Sequence, residues 1–186
     1  SFQNQSNAFI NSYVTANPIK GNPDRVYRND SSGFVTFNYK DSIKKSFDKG
    51  ALILNFIGHA ASQDWEIGLE DPSTINNGNK LPLVFSMTCF TGRMEPNVRS
   101  FGEKFIYLPN KLAIGFVGST GWSFAGQGNQ LNDYMLRSFA RDSIRHLGKI
   151  LSNASRIMSG DSNNFASRNT INSYTLYGDP AVKLLM

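Results

Sequence analysis

The chain has 186 residues, 40% hydrophobic and 12% aromatic, with only 18% charged, which argues for a packed core and one domain and against disorder. Nineteen basic against 14 acidic residues give a net charge of +5, a mild basicity that lacks the dense Lys/Arg clusters of a nucleic-acid binder. Cys89 is the single cysteine and His59 and His146 the only histidines, so an intrachain disulfide and a structural zinc site of four cysteines, or of two cysteines and two histidines, are excluded.

In chain order, residues 7–15 space Ala8, Phe9 and Tyr13 like a short amphipathic helix. Pro18, Gly21 and Pro23 mark 17–24 as loop. Residues 41–49 read as a helix with Asp41 at its start and Gly50 just past its end. Three near-continuous apolar runs follow, at 51–57 (ALILNFI), 81–87 (LPLVFSM) and 112–117 (LAIGFV). Runs of that length without alternation suit strands covered on both faces, as in a parallel sheet. Ser100 and Glu103 form a capping-box signature ahead of a helix over 101–108. The spacing then predicts a Gly/Ser/Thr-rich loop over 118–128 and two helices, over 130–146 and 149–158, separated by Gly148. A short strand over 173–177 closes the chain, stopped by Gly178, Asp179 and Pro180. Strands alternating with helices imply a three-layer α/β/α sandwich with a mostly parallel sheet, as one domain over residues 1–186.

Arg137, Arg141, Arg145 and Lys149 recur every four residues and would share one helical face, a solvated one on the plainest reading. No apolar run approaches the roughly 20 residues of a membrane span, and no secretory leader is expected at Ser1.

His59 directly follows the first apolar run after Gly58, and Cys89 follows the second after Thr88. In parallel α/β sheets reactive groups gather at the carboxyl ends of strands, and neighbouring strands lie about 4.8 Å apart. A cysteine and a histidine at two such ends can perform acyl transfer. The thiolate attacks a carbonyl and the imidazolium protonates the departing amine. The backbone amides of Ala60 and Cys89 are the natural oxyanion donors. Taken singly, Cys89 reads as an inert buried thiol and His59 as a histidine held by a backbone carbonyl. Trp65 and Trp122 each follow a strand end, and each reads as a core or rim aromatic or as a pocket wall. One histidine with Asp64 and Glu66 is too thin a pattern to outweigh a solvated loop as a metal site. Gly126 and Gly128 lack the third glycine of a dinucleotide fingerprint.

Several segments, in order, resemble one family. The run from Ile53 through Gly58 and His59, with Ser62, Trp65 and Glu66, is similar to the histidine motif of the gingipain family of cysteine peptidases. Ser86–Met87–Thr88–Cys89–Phe90–Thr91–Gly92 resembles its nucleophile motif. Ser100 to Glu103, Gly118–Ser119–Thr120 with Trp122, and Tyr177–Gly178–Asp179–Pro180–Ala181 resemble its later segments. The likeness spans about residues 50–185. It implies a caspase-like fold and a cysteine endopeptidase working through a thioester acyl-enzyme, with Cys89 as nucleophile and His59 as acid. Trp122, Ser119, Thr120 and Trp65 would line the substrate pocket. It further implies a polypeptide substrate, no required cofactor, and a secreted or bacterial cell-surface location, since the family includes the peptidase that removes sorting signals in type IX secretion. Structural calcium on loop carboxylates and carbonyls stays open, as do cell-surface or secretion-machinery partners.

Two departures stand out. The family usually has glycine after the histidine, where this chain has Ala60, at an expected cost of about 1 kcal/mol if that turn needs φ > 0. The carboxylate that orients the histidine, and further strands, precede the matched segments in family members. These departures motivate two alternative readings: that residues 1–186 are the C-terminal part of a caspase-like domain incomplete at its N-terminus, and that the chain is a non-catalytic caspase-like module serving as a secretion or surface scaffold.

Overall fold

All five residues of the strand Leu83–Met87 are buried, which is what the uninterrupted apolar run demands. A strand covered on both faces needs no polar alternation. The computed structural model describes residues 1–27, 39–161 and 164–185. Its strands are β1 (Ile53–Ile57), β2 (Leu83–Met87), β3 (Gly115–Ser119) and β4 (Tyr174–Tyr177). They form one sheet in the order β1-β2-β3-β4, parallel except for the antiparallel β3–β4 pair. The architecture is the expected α/β one, with helices on both faces.

Alternate residues of each strand serve different cores. Leu83, Phe85, Met87 and Val117 point into one cluster with α1 (Phe2–Phe9), α4 (Ala125–Ala140) and α5 (Leu147–Asp161). Val84, Phe116 and Phe56 point into the other, with α2 (Tyr39–Lys49) and α3 (Phe101–Tyr107). This two-sided burial is the period-2 geometry of a strand read twice. The α3 capping box is present in full. The Ser100 hydroxyl accepts from the Glu103 amide at 3.2 Å, and the Glu103 carboxylate accepts from the Ser100 amide at 2.6 Å.

Several boundaries differ from the sequence pattern, each for a local reason. The first helix starts at Phe2, capped by Ser1, and continues as a π-helical turn through Ile10–Val14. There Tyr13 donates to Asp133 on α4 at 2.8 Å. Burial, reinforced by that bond, pushes the Tyr13 hydroxyl up to about 12. β3 begins at Gly115 because Leu112 is held at φ 78° with its amide on the Asn77 side chain. Helix α4 spans Ala125–Ala140, earlier at both ends than expected.

Gly148 lies inside α5 and is not a break between helices. A Cβ there would sit 2.6 Å from the Cβ of Pro180, and its amide donates to the Pro180 carbonyl at 3.0 Å. The glycine lets the helix start approach the closing Gly-Asp-Pro turn. The real break falls at residues 141–146, so the basic row does not share one helical face. Arg141 instead lies over the Tyr13 ring and Arg145 over Phe139. Helix α6 (Phe165–Ser173) was not expected at all, because the side chains it buries are Ser167, Thr170 and Ser173.

Candidate active site

β1 and β2 pair in parallel with Ile57 opposite Met87. His59 and Cys89 each follow that register pair by two residues, so they leave the same carboxyl edge of the sheet side by side. His59 is exposed. Its imidazole stands edge-on to the Phe2 ring with centroids 5.2 Å apart, and it makes no hydrogen bond among the described residues. Glu66 donates its amide to the His59 carbonyl at 3.1 Å, and Ala60 bridges to Trp65. A short antiparallel return thus closes the loop behind the histidine.

Cys89 is half-buried. Its sulfur meets one residue through two backbone groups. The Ser123 amide donates to Sγ at 3.3 Å, and the thiol faces the Ser123 carbonyl at 3.7 Å. Ser123 is itself anchored, since its hydroxyl and that of the buried Tyr174 share a hydrogen bond of 2.8 Å. Burial pushes the Tyr174 hydroxyl up, keeping it a neutral hydrogen-bonding partner.

The loop after Cys89 is tied on all sides. Phe90 donates its amide to the Gly121 carbonyl at 3.0 Å, and Gly92 donates to Ser119 at 2.8 Å. The Gly102 amide donates to the Thr91 carbonyl at 2.8 Å, and the Tyr177 hydroxyl donates to the Gly92 carbonyl. A side chain on Gly92 would press on the Gly118 carbonyl, 2.8 Å from its Cβ position, so only glycine allows this approach. Phe90 holds φ 58°. The strained residue at this edge is therefore Phe90, directly after Cys89. Ala60 is absent from the positive-φ residues, and the expected penalty there does not arise. The amides of Phe90, Thr91, Gly92 and Arg93 are all bonded, whereas those of Ala60 and Cys89 make no bond among the described residues.

The structure separates the expected pocket residues. Trp122 is 73% exposed and stands edge-on to Phe90 at 4.8 Å. Thr120 is half-buried, its amide on the Ser173 carbonyl at 2.8 Å. Two expectations need correcting. Trp65 is 1% exposed, stacked on Phe56 at 4.4 Å, with Nε1 donating to the Ser86 hydroxyl at 2.9 Å. It is a core aromatic and cannot touch a substrate. The Ser119 side chain is wholly buried and turned onto the Gly121 backbone, so it supports the loop from beneath and lines nothing.

Two large cavities lie away from this edge. One of about 800 Å³ is lined by Gln63, Asp71, Glu95, Arg99, Glu103 and Tyr107 among others, and one of about 830 Å³ runs between the N-terminal segment and β1. Neither is lined by His59 or Cys89. Among the described residues, no group of three or more His, Cys, Asp or Glu side chains converges as metal ligands, and no helix is long and apolar enough to cross a membrane.

A family model described as peptidase family C25 matches residues 3–185. The chain belongs to that family. The matched span is wider than the 50–185 over which its motifs can be quoted, because the N-terminal helix carries no distinctive residues. None of the curated proteins compared matches the chain. Among solved structures, the Arg-specific cysteine proteinase gingipain R superposes with a TM-score of 0.71 at 19% identity, covering 77% of this chain and 36% of that one. The complex of Porphyromonas gingivalis RgpB pro- and mature domains gives 0.70 at 20% identity with the same coverage. A structure described only as a protease gives 0.63 at 17%, covering 74% of this chain and 36% of the other. These likenesses show the caspase-like fold, and the chain spans 36% of those structures' length.

Within this C25 chain, sequence reasoning missed Ser123, whose backbone amide and carbonyl meet the Cys89 sulfur. The loop over 118–128 reads as polar by composition. The signal available was the alternation Trp122-Ser123-Phe124, two aromatics flanking a small polar residue, as in a short extended segment.

Proposed function

We propose that this chain carries the nucleophile and the general acid of a cysteine endopeptidase, Cys89 and His59. The observation that carries the reading is the shared register. Both residues follow the Ile57–Met87 pair by two positions on adjacent parallel strands. The Cys89 thiolate attacks the scissile carbonyl, forming the S–C bond and an oxyanion that the free amides of Ala60 and Cys89 receive. The His59 imidazolium gives its proton to the departing amine as the C–N bond breaks. Water then hydrolyses the thioester, and the acid product and free thiol return. The substrate is a polypeptide, and family kinship supports a secreted or cell-surface setting.

The test is labelling of the full-length protein by a peptidyl acyloxymethyl ketone. Cys89→Ala should abolish labelling and hydrolysis with an unchanged circular dichroism spectrum. His59→Ala should lower the turnover rate by about 10²–10⁴-fold, the usual worth of general acid–base catalysis. Persistent labelling in the Cys89→Ala protein overturns the assignment.

One observation favours the scaffold reading. The His59 imidazole has no carboxylate partner among the described residues. That reading expects no hydrolysis and no labelling from the full-length protein, so the same experiment decides between the two.

A further inference from the structure

Among the described residues, both hydrogen-bond contacts of the Cys89 side chain go to the Ser123 backbone. Whatever fixes Ser123 therefore fixes one side of the sulfur. Ser123 lies in the irregular segment between β3 and α4, and that segment is tied to α6 and β4. The Thr120 amide donates to the Ser173 carbonyl at 2.8 Å, and the Asn169 side-chain amide donates to the Trp122 carbonyl at 3.2 Å. The third tie is the 2.8 Å bond between the Ser123 and Tyr174 hydroxyls. Of the three, only this last one reaches the residue that touches the sulfur. Its far end is firmly placed. Tyr174 opens β4 opposite Ser119, the last residue of β3, so the sheet ladder sets its backbone. Its ring is 5% exposed, in the core cluster that holds Leu131 and Met135 of α4. Gly128, in the first turn of α4, leaves room for the pair. A Cβ there would stand 2.9 Å from the Ser123 hydroxyl oxygen and 3.2 Å from that of Tyr174.

We propose that Tyr174 is a positioning residue for the nucleophile, acting through Ser123: the buried hydroxyl holds the Ser123 side chain, and the Ser123 backbone holds the Cys89 sulfur. The proposal rests on the peptidase reading above. Attack requires the sulfur about 3–3.5 Å from the scissile carbonyl carbon along a defined approach, and a misplacement of about 1 Å can cost about a hundredfold in rate. The Ser123 side chain points to Tyr174, so its bond bears on the place of the sulfur and not on the grip on the peptide. The loss expected from cutting it is therefore a loss of rate at unchanged affinity. The Asn169 tie differs. Asn169 is exposed and its bond to Trp122 is long, so water can replace it.

The experiment measures kinact and KI for labelling of the full-length protein by a peptidyl acyloxymethyl ketone, in variants checked by circular dichroism. Tyr174→Phe and Ser123→Ala cut the bond from its two ends. Each should lower kinact at least about tenfold, within the reach of a sub-ångström to 1 Å displacement, with KI changed less than about twofold. Because both substitutions cut one bond, the double variant should be at most about twofold slower than the slower single variant. Asn169→Ala, which loosens the same segment without touching Ser123, should lower kinact less than about threefold. If Tyr174→Phe fails to fold, Ser123→Ala against Asn169→Ala decides. A kinact within threefold of the parent in the bond-cutting variants, losses that multiply in the double variant, a change confined to KI, or an equal loss in Asn169→Ala overturns the positioning role and leaves the peptidase reading standing. A parent protein that no such probe labels overturns both.

Discussion

The loops after β1 and β2 leave the same edge of one sheet, yet they are held very differently. Behind Cys89, three backbone hydrogen bonds and the Tyr177 hydroxyl tie residues 90–92 to β3, its following turn, α3 and β4. Behind His59, the backbone makes a short return through Trp65 and Glu66, and the ties to the rest of the molecule run through side chains: Gln63 on the Arg99 carbonyl, the Trp65 indole on Ser86, and the ring contact with Phe2. β2 has a strand on each side and is buried throughout. β1 ends the sheet among the described residues, and only Phe56 of its five residues is buried. A segment with few buried contacts opens at a lower free-energy cost. This edge of the sheet therefore sets Cys89 on backbone tied to its neighbours and His59 on backbone with fewer such ties.

One side chain joins the two regions. Trp65 comes from the histidine loop, and its indole donates to Ser86 on β2, whose hydroxyl pairs with Thr91 at 3.0 Å. The largest effect should follow from cutting this link. Trp65→Ala removes a buried indole stacked on Phe56 and packed on Phe101 and Phe105, and should cost about 3–5 kcal/mol. Trp65→Phe keeps much of the ring packing and loses the donor to Ser86, at about 1 kcal/mol. Chemical denaturation measures both. A loss under about 1 kcal/mol for Trp65→Ala would show that the indole does not couple the loops.

The difference between the two tryptophans is also where the sequence ran out. Each follows an apolar run, and nothing in their immediate neighbours tells core from surface. Their fates turn on long-range partners: Ser86 and Phe56 receive Trp65, while Trp122 meets Phe90 at its edge. The strands themselves were legible, because burial on both faces leaves an unbroken apolar run whose shortness and flanking turn residues separate it from a buried helix. The capping box was legible because its two bonds join residues three apart. Helix α6 was not, since Ser167, Thr170 and Ser173 bury polar side chains at the period normally marked by apolar ones. Gly148 misled because it serves close approach to Pro180, a contact 32 residues away in the chain and invisible locally. The positions of His59 and Cys89 at strand ends could be read directly, while the sulfur's partner, Ser123, depends on how the β3 loop folds back.

An intermediate effect should follow from loosening the tighter region alone. Tyr177→Phe leaves the ring among Phe116 and its neighbours and removes the hydroxyl that caps the Gly92 carbonyl. A buried carbonyl stripped of its partner costs about 1–3 kcal/mol. Hydrogen exchange should then accelerate at residues 90–93 and stay unchanged at 59–66. Equal acceleration in both loops would mean that they open as one unit, and the contrast between them would fail.

The smallest effect should come from the looser region. Phe2→Ala removes the ring contact that the His59 imidazole makes among the described residues. An edge-to-face pair contributes about 0.5–1.5 kcal/mol when well packed. His59 is exposed and solvent competes for it, so the stability change should fall at or below the lower end of that range. The sensitive readout is the imidazole itself: its ring-proton resonances should lose the ring-current shift from Phe2 and narrow as the ring gains freedom. Because the Phe2 contact fixes no hydrogen bond and no charge, the thioester-forming rate should change by less than about threefold, a factor worth under 1 kcal/mol. A loss of tenfold or more would place the N-terminal helix among the elements that position His59, and the two loops would then differ in what holds them rather than in how firmly they are held.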